Sequence, residues 1–327
     1  MERRAAVPVS GVHHHQSHSH AHGDDRSSLT SRAALASIAM AIFLIALKTW
    51  AALQTSSMAM LGSLADSTLD LVASIVVLLG VRVAAQPADR EHRFGHGKAE
   101  ALAALVQVII ISISALFIGF RSIERLIGGA ETSQAELGIG VSVVAIAFTL
   151  ALIGYQRYVV RRTGSVAIAT DRLHYASDLM LNGSVIVALV LDQYAGIVGA
   201  DAVFGLLIAL WLAWGAWRSS SHALDQLMDR EWPNEMRDRF LAAARTYPEL
   251  EGLHDLRTRT SGTHNFVQFH VWVPPDWTVR EAHDRMDRIE QELEKQFPAT
   301  EILIHLDPEG HTDREGVLPS HIAEQLE

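Results

Sequence analysis

The residues best suited to chemistry in this chain are two pairs, Asp66 with Asp70 and His174 with Asp178. Each pair is spaced i, i+4 inside a long apolar stretch, so on a helix its members share one face, one turn apart. A carboxylate at mid-bilayer depth costs roughly 2.5–3.5 kcal/mol on insertion scales, so three of them in apolar segments demand a partner. Three carboxylate oxygens and one imidazole nitrogen make a tetrahedral set for a divalent metal, zinc above all. Hydrogen bonding to Ser or Asn is the blander account, but intramembrane acids mark pathways and relays by default. A neutral imidazole beside three acids favours metal ligation over a proton-only relay. The pattern predicts a membrane protein that moves such a metal.

Six apolar stretches must position these pairs, at about 33–53, 58–83, 99–120, 137–158, 171–191 and 200–217. Each is close to the roughly 20 residues that a span needs. The first carries Lys48 near its far end, within snorkelling reach of the interface. The second carries Asp66 and Asp70, and the fifth carries His174, Asp178 and Asn182 in one i, i+4 row. Asp171, at a span end, reads as a helix cap and is assigned no role. The sixth ends in Trp211, Trp214 and Trp217, an interfacial aromatic signature. Lys and Arg gather in the tail (Arg3, Arg4, Arg26, Arg32) and in the connections after spans two (Arg90, Arg93, Lys98) and four (Arg157, Arg161, Arg162, Arg172). That bias places both termini in the cytoplasm, with Arg121 and Arg125 as the minority on the other side.

The flanks differ in kind. Residues 1–28 read as a disordered tail holding His13, His14, His15, His18, His20 and His22, a loose metal-collecting tract or a neutral polar tail. No apolar core of the signal-peptide type is visible there. Residues 29–218 form the six-span domain, 219–307 a soluble domain and 308–327 a polar tail. The soluble part reads helix (to about 247), strands at 253–260 and 265–273, a charged amphipathic helix at 278–297 and a last strand at 301–306. That order fits a small α+β layer with helices on one face of the sheet. In the second strand Val267, Phe269, Val271 and Val273 share the core face, and Phe266, Gln268, His270 and Trp272 the other.

Composition narrows the chemistry further. The formal net charge is −10, much of the acid lies beyond residue 220, and no basic stripe is present, which argues against nucleic acid. With no Cys, disulfides and thiolate chemistry are excluded, and a metal must use His, Asp, Glu, backbone or water.

Two further clusters can hold metal. Asp89, His92 and His96, spaced three and four apart after span two, fit either a three-ligand site with an open position or a merely polar loop. His254, His270, His283, His305 and Asp307 are either single surface residues or the makings of a two-metal site bridged by Asp307. His305 and Asp307, at i, i+2, share a strand face.

These residues carry a family resemblance. The stretches Leu64-Ala-Asp66-Ser-Thr-Leu-Asp70, Gln86-Pro-Ala-Asp89, Phe94-Gly-His96-Gly-Lys98-Ala-Glu100, His174-Tyr-Ala-Ser-Asp178, Gly252-Leu-His254-Asp-Leu-Arg257-Thr-Arg259 and Ile304-His305-Leu-Asp307-Pro308 appear in order. From about Leu29 to Asp307 the chain resembles the cation diffusion facilitator family of metal/proton antiporters, and within it the bacterial zinc- and iron-efflux branch. The resemblance implies a Y-shaped homodimer of six-helix transmembrane protomers with metallochaperone-like α-β-β-α-β cytoplasmic domains, in a bacterial plasma membrane. Residue by residue, it matches Asp66, Asp70, His174 and Asp178 to a transport site. It matches Asp89, His92 and His96 to a loop site, and His254, His270, His283, His305 and Asp307 to a cytoplasmic two-metal site. Lys98 and Asp229 match an interprotomer charge pair. The His-rich tail departs from the pattern, because some relatives carry such a tract between spans four and five.

The expectation is therefore a transporter, not an enzyme. It exchanges divalent metal, Zn2+ first and Fe2+, Cd2+, Co2+ or Mn2+ as alternatives, for protons. A metalloenzyme would want an open coordination position and a general base, which a closed four-ligand set does not leave. A non-transporting metal sensor would need only the soluble domain.

Overall fold

In the computed structural model the described residues are 19–55, 58–128, 139–195 and 199–309. Six long helices come first: α1 (Ser19–Thr55), α2 (Met58–Ala84), α3 (Ala99–Gly128), α4 (Ile139–Thr163), α5 (Val166–Ala195) and α6 (Ala200–Leu227). The side chains of Asp66 and Asn182 are among those left undescribed within these helices, and His13, His14, His15 and His18 lie outside the described residues.

Helix α1 runs from Ser19, so the last ten residues of the stretch expected to be a disordered tail, 19–28, are helical. Its early turns have a tertiary anchor. Arg26 donates to the Arg162 carbonyl at 3.4 Å and to the Thr263 carbonyl at 3.2 Å. Arg26–Trp50, Ser67–Ala84, Ala99–Gly128 and Ala202–Leu227 are long and apolar enough to cross a membrane on length and composition alone, judged over the described residues. Helices α4 and α5 are as long, but their sequences include Arg157, Arg161 and Arg162, and Asp171, Arg172, His174 and Asp178. The charges of α4 nonetheless fall only in its last seven residues, after an uncharged run at 139–156.

The bundle packs through small residues. A Cβ on Gly80 would sit 2.3 Å from the Ala103 Cβ, so α2 and α3 approach almost backbone to backbone. Helix α3 lies along α6 through Val108, Ile111, Ala115, Ile208, Leu212 and Ala216. Their outward faces expose Ile109, Ile113, Leu116, Phe117, Leu207, Leu210 and Trp214, a surface that suits lipid rather than water. Between α4 and α5 the chain reverses at Gly164, whose φ of 72° is left-handed. Ser165 then caps α5, its Oγ accepting from the Ile168 amide at 3.2 Å while it donates to the buried Glu100 carboxylate of α3.

The C-terminal domain is α7 (Asn234–Ala244), a 3-10 turn at Pro248–Leu250, β1 (His254–Ser261), β2 (His264–Val273), α8 (Val279–Gln296) and β3 (Thr300–Pro308). The sheet order is β1-β2-β3. β1 and β2 form an antiparallel hairpin, and α8 is the crossover that brings β3 parallel to β2. Helix α8 opens on a capping pattern in which the Glu281 amide donates to Thr278 Oγ1 at 3.2 Å. Its buried row, Ala282, Met286, Ile289 and Leu293, faces Val267, Phe269 and Val271 of the sheet. Phe240 of α7 completes the core, 5.9 Å from the Phe269 ring and 5.3 Å from that of Phe297.

The two domains touch at glycines. A Cβ on Gly97 would meet the Ser261 carbonyl oxygen at 2.3 Å, and Gly262, at φ 60°, sits directly against Gly97. Beside them the Arg259 guanidinium lies 4.4 Å from the Phe94 ring centre and 4.5 Å from that of Phe266. The atom that a new methyl would strike is backbone and cannot turn aside. Gly97→Ala should therefore part the loop from the hairpin, seen as faster amide hydrogen exchange at residues 261–264. Unchanged exchange there would contradict the contact.

The stability of the C-terminal domain also depends on pH. Burial pushes the Glu290 carboxyl up to about 7, with Asp287 and Glu294 adding to the rise, partly offset by the hydrogen bond from the Ile304 amide and by His283. The folded chain keeps a proton that the unfolded chain gives up at ordinary carboxylate pH. Stability must therefore fall as pH rises through this window. Glu290→Gln should flatten thermal stability between about pH 5 and 7; an unaltered pH profile would refute the shift.

Candidate metal centres

Helices α2 and α5 lie side by side, and the polar row of each meets the other. His174 Nε2 is 2.7 Å from Asp70 Oδ1 and 3.7 Å from Asp178 Oδ2. The donor atoms of these three groups all lie within 4.8 Å of one another. A tetrahedral zinc with bonds of about 2.0–2.1 Å has donor–donor edges near 3.3 Å, so the trio needs only small rotations to close on an ion. The His174 and Asp70 side chains are 8% and 13% exposed, and Asp178 34%, so the trio is enclosed except on the Asp178 side. Asp66 stands one turn before Asp70 on α2, on the same face by helical spacing.

A polar network surrounds this trio, and sequence reasoning did not place it. Asp171 is no helix cap: α5 begins five residues earlier, at Val166, and Asp171 is fully buried. Its carboxylate accepts from Ser37 of α1 at 2.6 Å, Gln107 of α3 at 2.7 Å and Gln156 of α4 at 2.7 Å. One turn on, Tyr175 donates to the Ser37 carbonyl at 2.9 Å and lies 3.1 Å from Ser74 Oγ of α2. Helix α5 is thereby tied to four others through residues adjoining His174. Lys48, expected to snorkel outward, donates instead to Ser67 Oγ at 2.7 Å. The row Asp171, His174, Tyr175, Asp178 could have been found as one stripe at i, i+3, i+4, i+7.

The loop between α2 and α3 brings Asp89, His92 and His96 together, also within 4.8 Å. Asp89 Oδ1 accepts from the His92 and Glu91 amides at 2.6 and 2.9 Å, a turn that folds the loop on itself. Those amides, that of His92 foremost, hold the Asp89 carboxyl below the usual carboxylate range. His92 Nδ1 and His96 Nε2 each stand 3.4 Å from an Asp89 oxygen.

In the C-terminal domain the third trio is His254, His270 and Asp307, one from each strand. Asp307 is the hub. Its Oδ2 faces His270 Nδ1 at 2.8 Å and His254 Nε2 at 3.4 Å, while Oδ1 faces His305 Nε2 at 3.5 Å. A bulge between His254 and Arg257 aims His254 here, with Asp255 at φ 47°. The bulge also brings Asp255, which sequence reasoning missed, to 3.8 Å from His270 Nε2. His305 is 63% exposed and borders the trio. His283 stays apart from it on α8, 67% exposed and 3.6 Å from Asp287.

Lys98 and Asp229, which the resemblance matches to an interprotomer pair, also meet within the single chain. Lys98 Nζ donates to Asp229 Oδ2 at 2.9 Å and to the Leu227 carbonyl at 3.1 Å. Helices α3 and α6 pack together, which sets the start of one beside the end of the other. Asp229 then turns back at φ 56°. Arg259 of β1 stands 3.6 Å from the same carboxylate, so the pair joins the bundle to its own C-terminal domain.

Comparison with known proteins agrees with this division. The model of the cation efflux transmembrane domain matches residues 34–228, and that of the cation efflux protein cytoplasmic domain matches residues 232–309. The cation-efflux pump FieF of Salmonella typhimurium (strain LT2) is 43% identical over 288 residues, covering 88% of this chain and 96% of that pump. FieF of Salmonella newport (strain SL254) gives the same figures. Among solved structures, the Zn form of CzrB is 37% identical, with 26% of this chain and 99% of that chain covered at a TM-score of 0.24. The metal-bound C-terminal domain of the CzcD transporter from Thermotoga maritima is 28% identical, with 24% and 93% covered at a TM-score of 0.23.

Because Asp307 faces three imidazoles, Asp307→Ala should lower the zinc bound per chain after equilibrium dialysis, whereas His305→Ala should weaken binding by only about tenfold. Equal losses from the two variants would contradict the hub.

Proposed function

The chain belongs to the cation efflux family of membrane transporters, and from that premise we propose that it exports a divalent metal, zinc first, in exchange for protons. The observation that carries this reading is the buried contact of His174 with Asp70 and Asp178 between two long helices. Asp66, one turn away on α2, supplies the fourth ligand. Ligands must be deprotonated to hold a metal, so a divalent ion that takes the site displaces whatever protons its carboxylates carry. His174 must likewise be neutral to ligate.

Opening the site alternately to each side then couples metal leaving to protons entering. Rocking of helices about a fixed site is the ordinary means in transporters. The loop trio and the C-terminal trio load with metal on the cytoplasmic side, where the Lys and Arg distribution puts both termini. The chain works as a homodimer in the bacterial inner membrane. Metal at the C-terminal trio biases the rocking through the Gly97–Gly262 and Lys98–Asp229 contacts that join the domains. The mixed imidazole and carboxylate set also accepts Fe2+, Cd2+, Co2+ and Mn2+ by its chemistry, so the physiological ion is set by availability as well as by the site.

The test is flux into proteoliposomes across an imposed pH gradient, with a panel of metals. Zinc should move against the proton flow. Asp70→Ala should cut the rate more than tenfold, at or beyond the loss that even an outer-shell partner of a ligand costs. A variant that transports as fast as the parent would contradict the site, and flux indifferent to the pH gradient would contradict antiport.

A further inference from the structure

Away from all three trios, a cavity of about 420 Å3 opens where the helix bundle meets the C-terminal domain. Its size falls in the range of small-ligand pockets, about 300–1,000 Å3. Three arginines line it: Arg26 of α1, Arg162 of α4 and Arg239 of α7. No carboxylate is among its described lining residues. Arg26 is fixed by the Arg162 and Thr263 carbonyls, which use only two of its five N–H groups. The Arg162 guanidinium lies over the Tyr158 ring at 4.9 Å. Among the described residues, neither Arg162 nor Arg239 has an acidic partner.

Three neutral polar residues also line it, Asn265, Gln296 and Thr300, of which Gln296 already donates to the Tyr247 hydroxyl. Asn265 uses its amide oxygen to accept from Thr260 at 3.0 Å, which leaves its NH2 to donate elsewhere. Thr300 is 1% exposed, and its hydroxyl has no hydrogen-bond partner among the described residues. A buried hydroxyl left unpaired is a cost that a native chain rarely bears without a ligand or water to meet it. The electrostatic and hydrogen-bonding demands of this cavity are those of a compact anion with several acceptor oxygens.

We propose that this cavity binds an anionic phosphate, carried on a lipid headgroup or free in solution. Arginine forks match phosphate oxygens in pairs, and the Asn265 amide and Thr300 hydroxyl add neutral donors. Its position matches the lipid source. Arg26 begins the first apolar span and Arg162 sits in the last turn of α4, so the cavity lies at headgroup level. Basic pockets between membrane helices at that level are where acidic lipids bind. An occupied site would clamp α1 and α4 to α7 and β3.

The test is native mass spectrometry of the full chain, comparing retained phosphatidylglycerol with phosphatidylcholine. The parent should prefer phosphatidylglycerol, and the double variant Arg162→Gln/Arg239→Gln should bind it about twentyfold more weakly, roughly fivefold per arginine. Both arginines are solvent-exposed, so the variant should fold. Thr300→Val should weaken the lipid while leaving the thermal midpoint of the lipid-free protein unchanged or higher, because it removes an unpaired hydroxyl. Competition by soluble glycerol phosphate would identify free phosphate as a sufficient ligand, and failure to compete would identify the lipid. Equal lipid retention by parent and double variant, or no preference for the anionic lipid together with no effect of soluble phosphate, would overturn the proposal.

Discussion

A carboxylate inside an apolar helix bundle must be met by a partner, and the whole membrane half of this chain is arranged around that demand. Two acids meet it with each other's neighbour: Asp70 on α2 and Asp178 on α5 both turn to His174. A third, Asp171, meets it with Ser37, Gln107 and Gln156, one from each of α1, α3 and α4. A side chain from α2, Ser74, reaches the same helix through Tyr175. The consequence is mechanical. Helix α5 cannot slide or turn without disturbing polar contacts to four neighbours, each of which would leave a buried donor or acceptor unpaired at roughly 1–3 kcal/mol. Such a bundle favours discrete arrangements over continuous drift.

The three trios share a design. Each sets carboxylate beside imidazole: Asp70 and Asp178 beside one in the bundle, Asp89 beside two in the loop, and Asp307 beside two in the sheet. They differ in access. The loop trio is the most open, while the bundle and sheet trios are both largely enclosed, with Asp307 itself nearly buried. The loop trio is only a few residues from Phe94, Gly97 and Lys98, which hold the C-terminal domain against the bundle. A change in the loop on metal binding therefore has a short covalent path to the domain junction.

Much of this was legible in the sequence. The i, i+4 pairs pointed to two helices that must touch, and α2 and α5 do touch. The α-β-β-α-β order and the core face Val267, Phe269, Val271 and Val273 follow from alternation and a charged amphipathic helix. What was not legible has particular causes. Asp171 looked like a cap because hydropathy begins the fifth span near it. The helix in fact starts at Val166, where Gly164 and Ser165 supply the turn and the cap. Asp255 was hidden by a bulge, which breaks the alternation that strand reading relies on. The place of Lys98 and Asp229 depends on α3 packing along α6, a tertiary fact. The extension of α1 back to Ser19 has an anchor at Arg26 in two carbonyls from distant segments, of which local sequence carries no trace.

The central claim is that one imidazole and a set of carboxylates from α2 and α5 hold the transported ion. Zinc K-edge X-ray absorption tests it most directly, on a chain whose tail, loop and C-terminal imidazoles have been replaced. The account predicts a bound zinc with a single imidazole and oxygen donors at about 2.0–2.1 Å. A shell with two or more imidazoles, or a chain that retains no zinc, would contradict it.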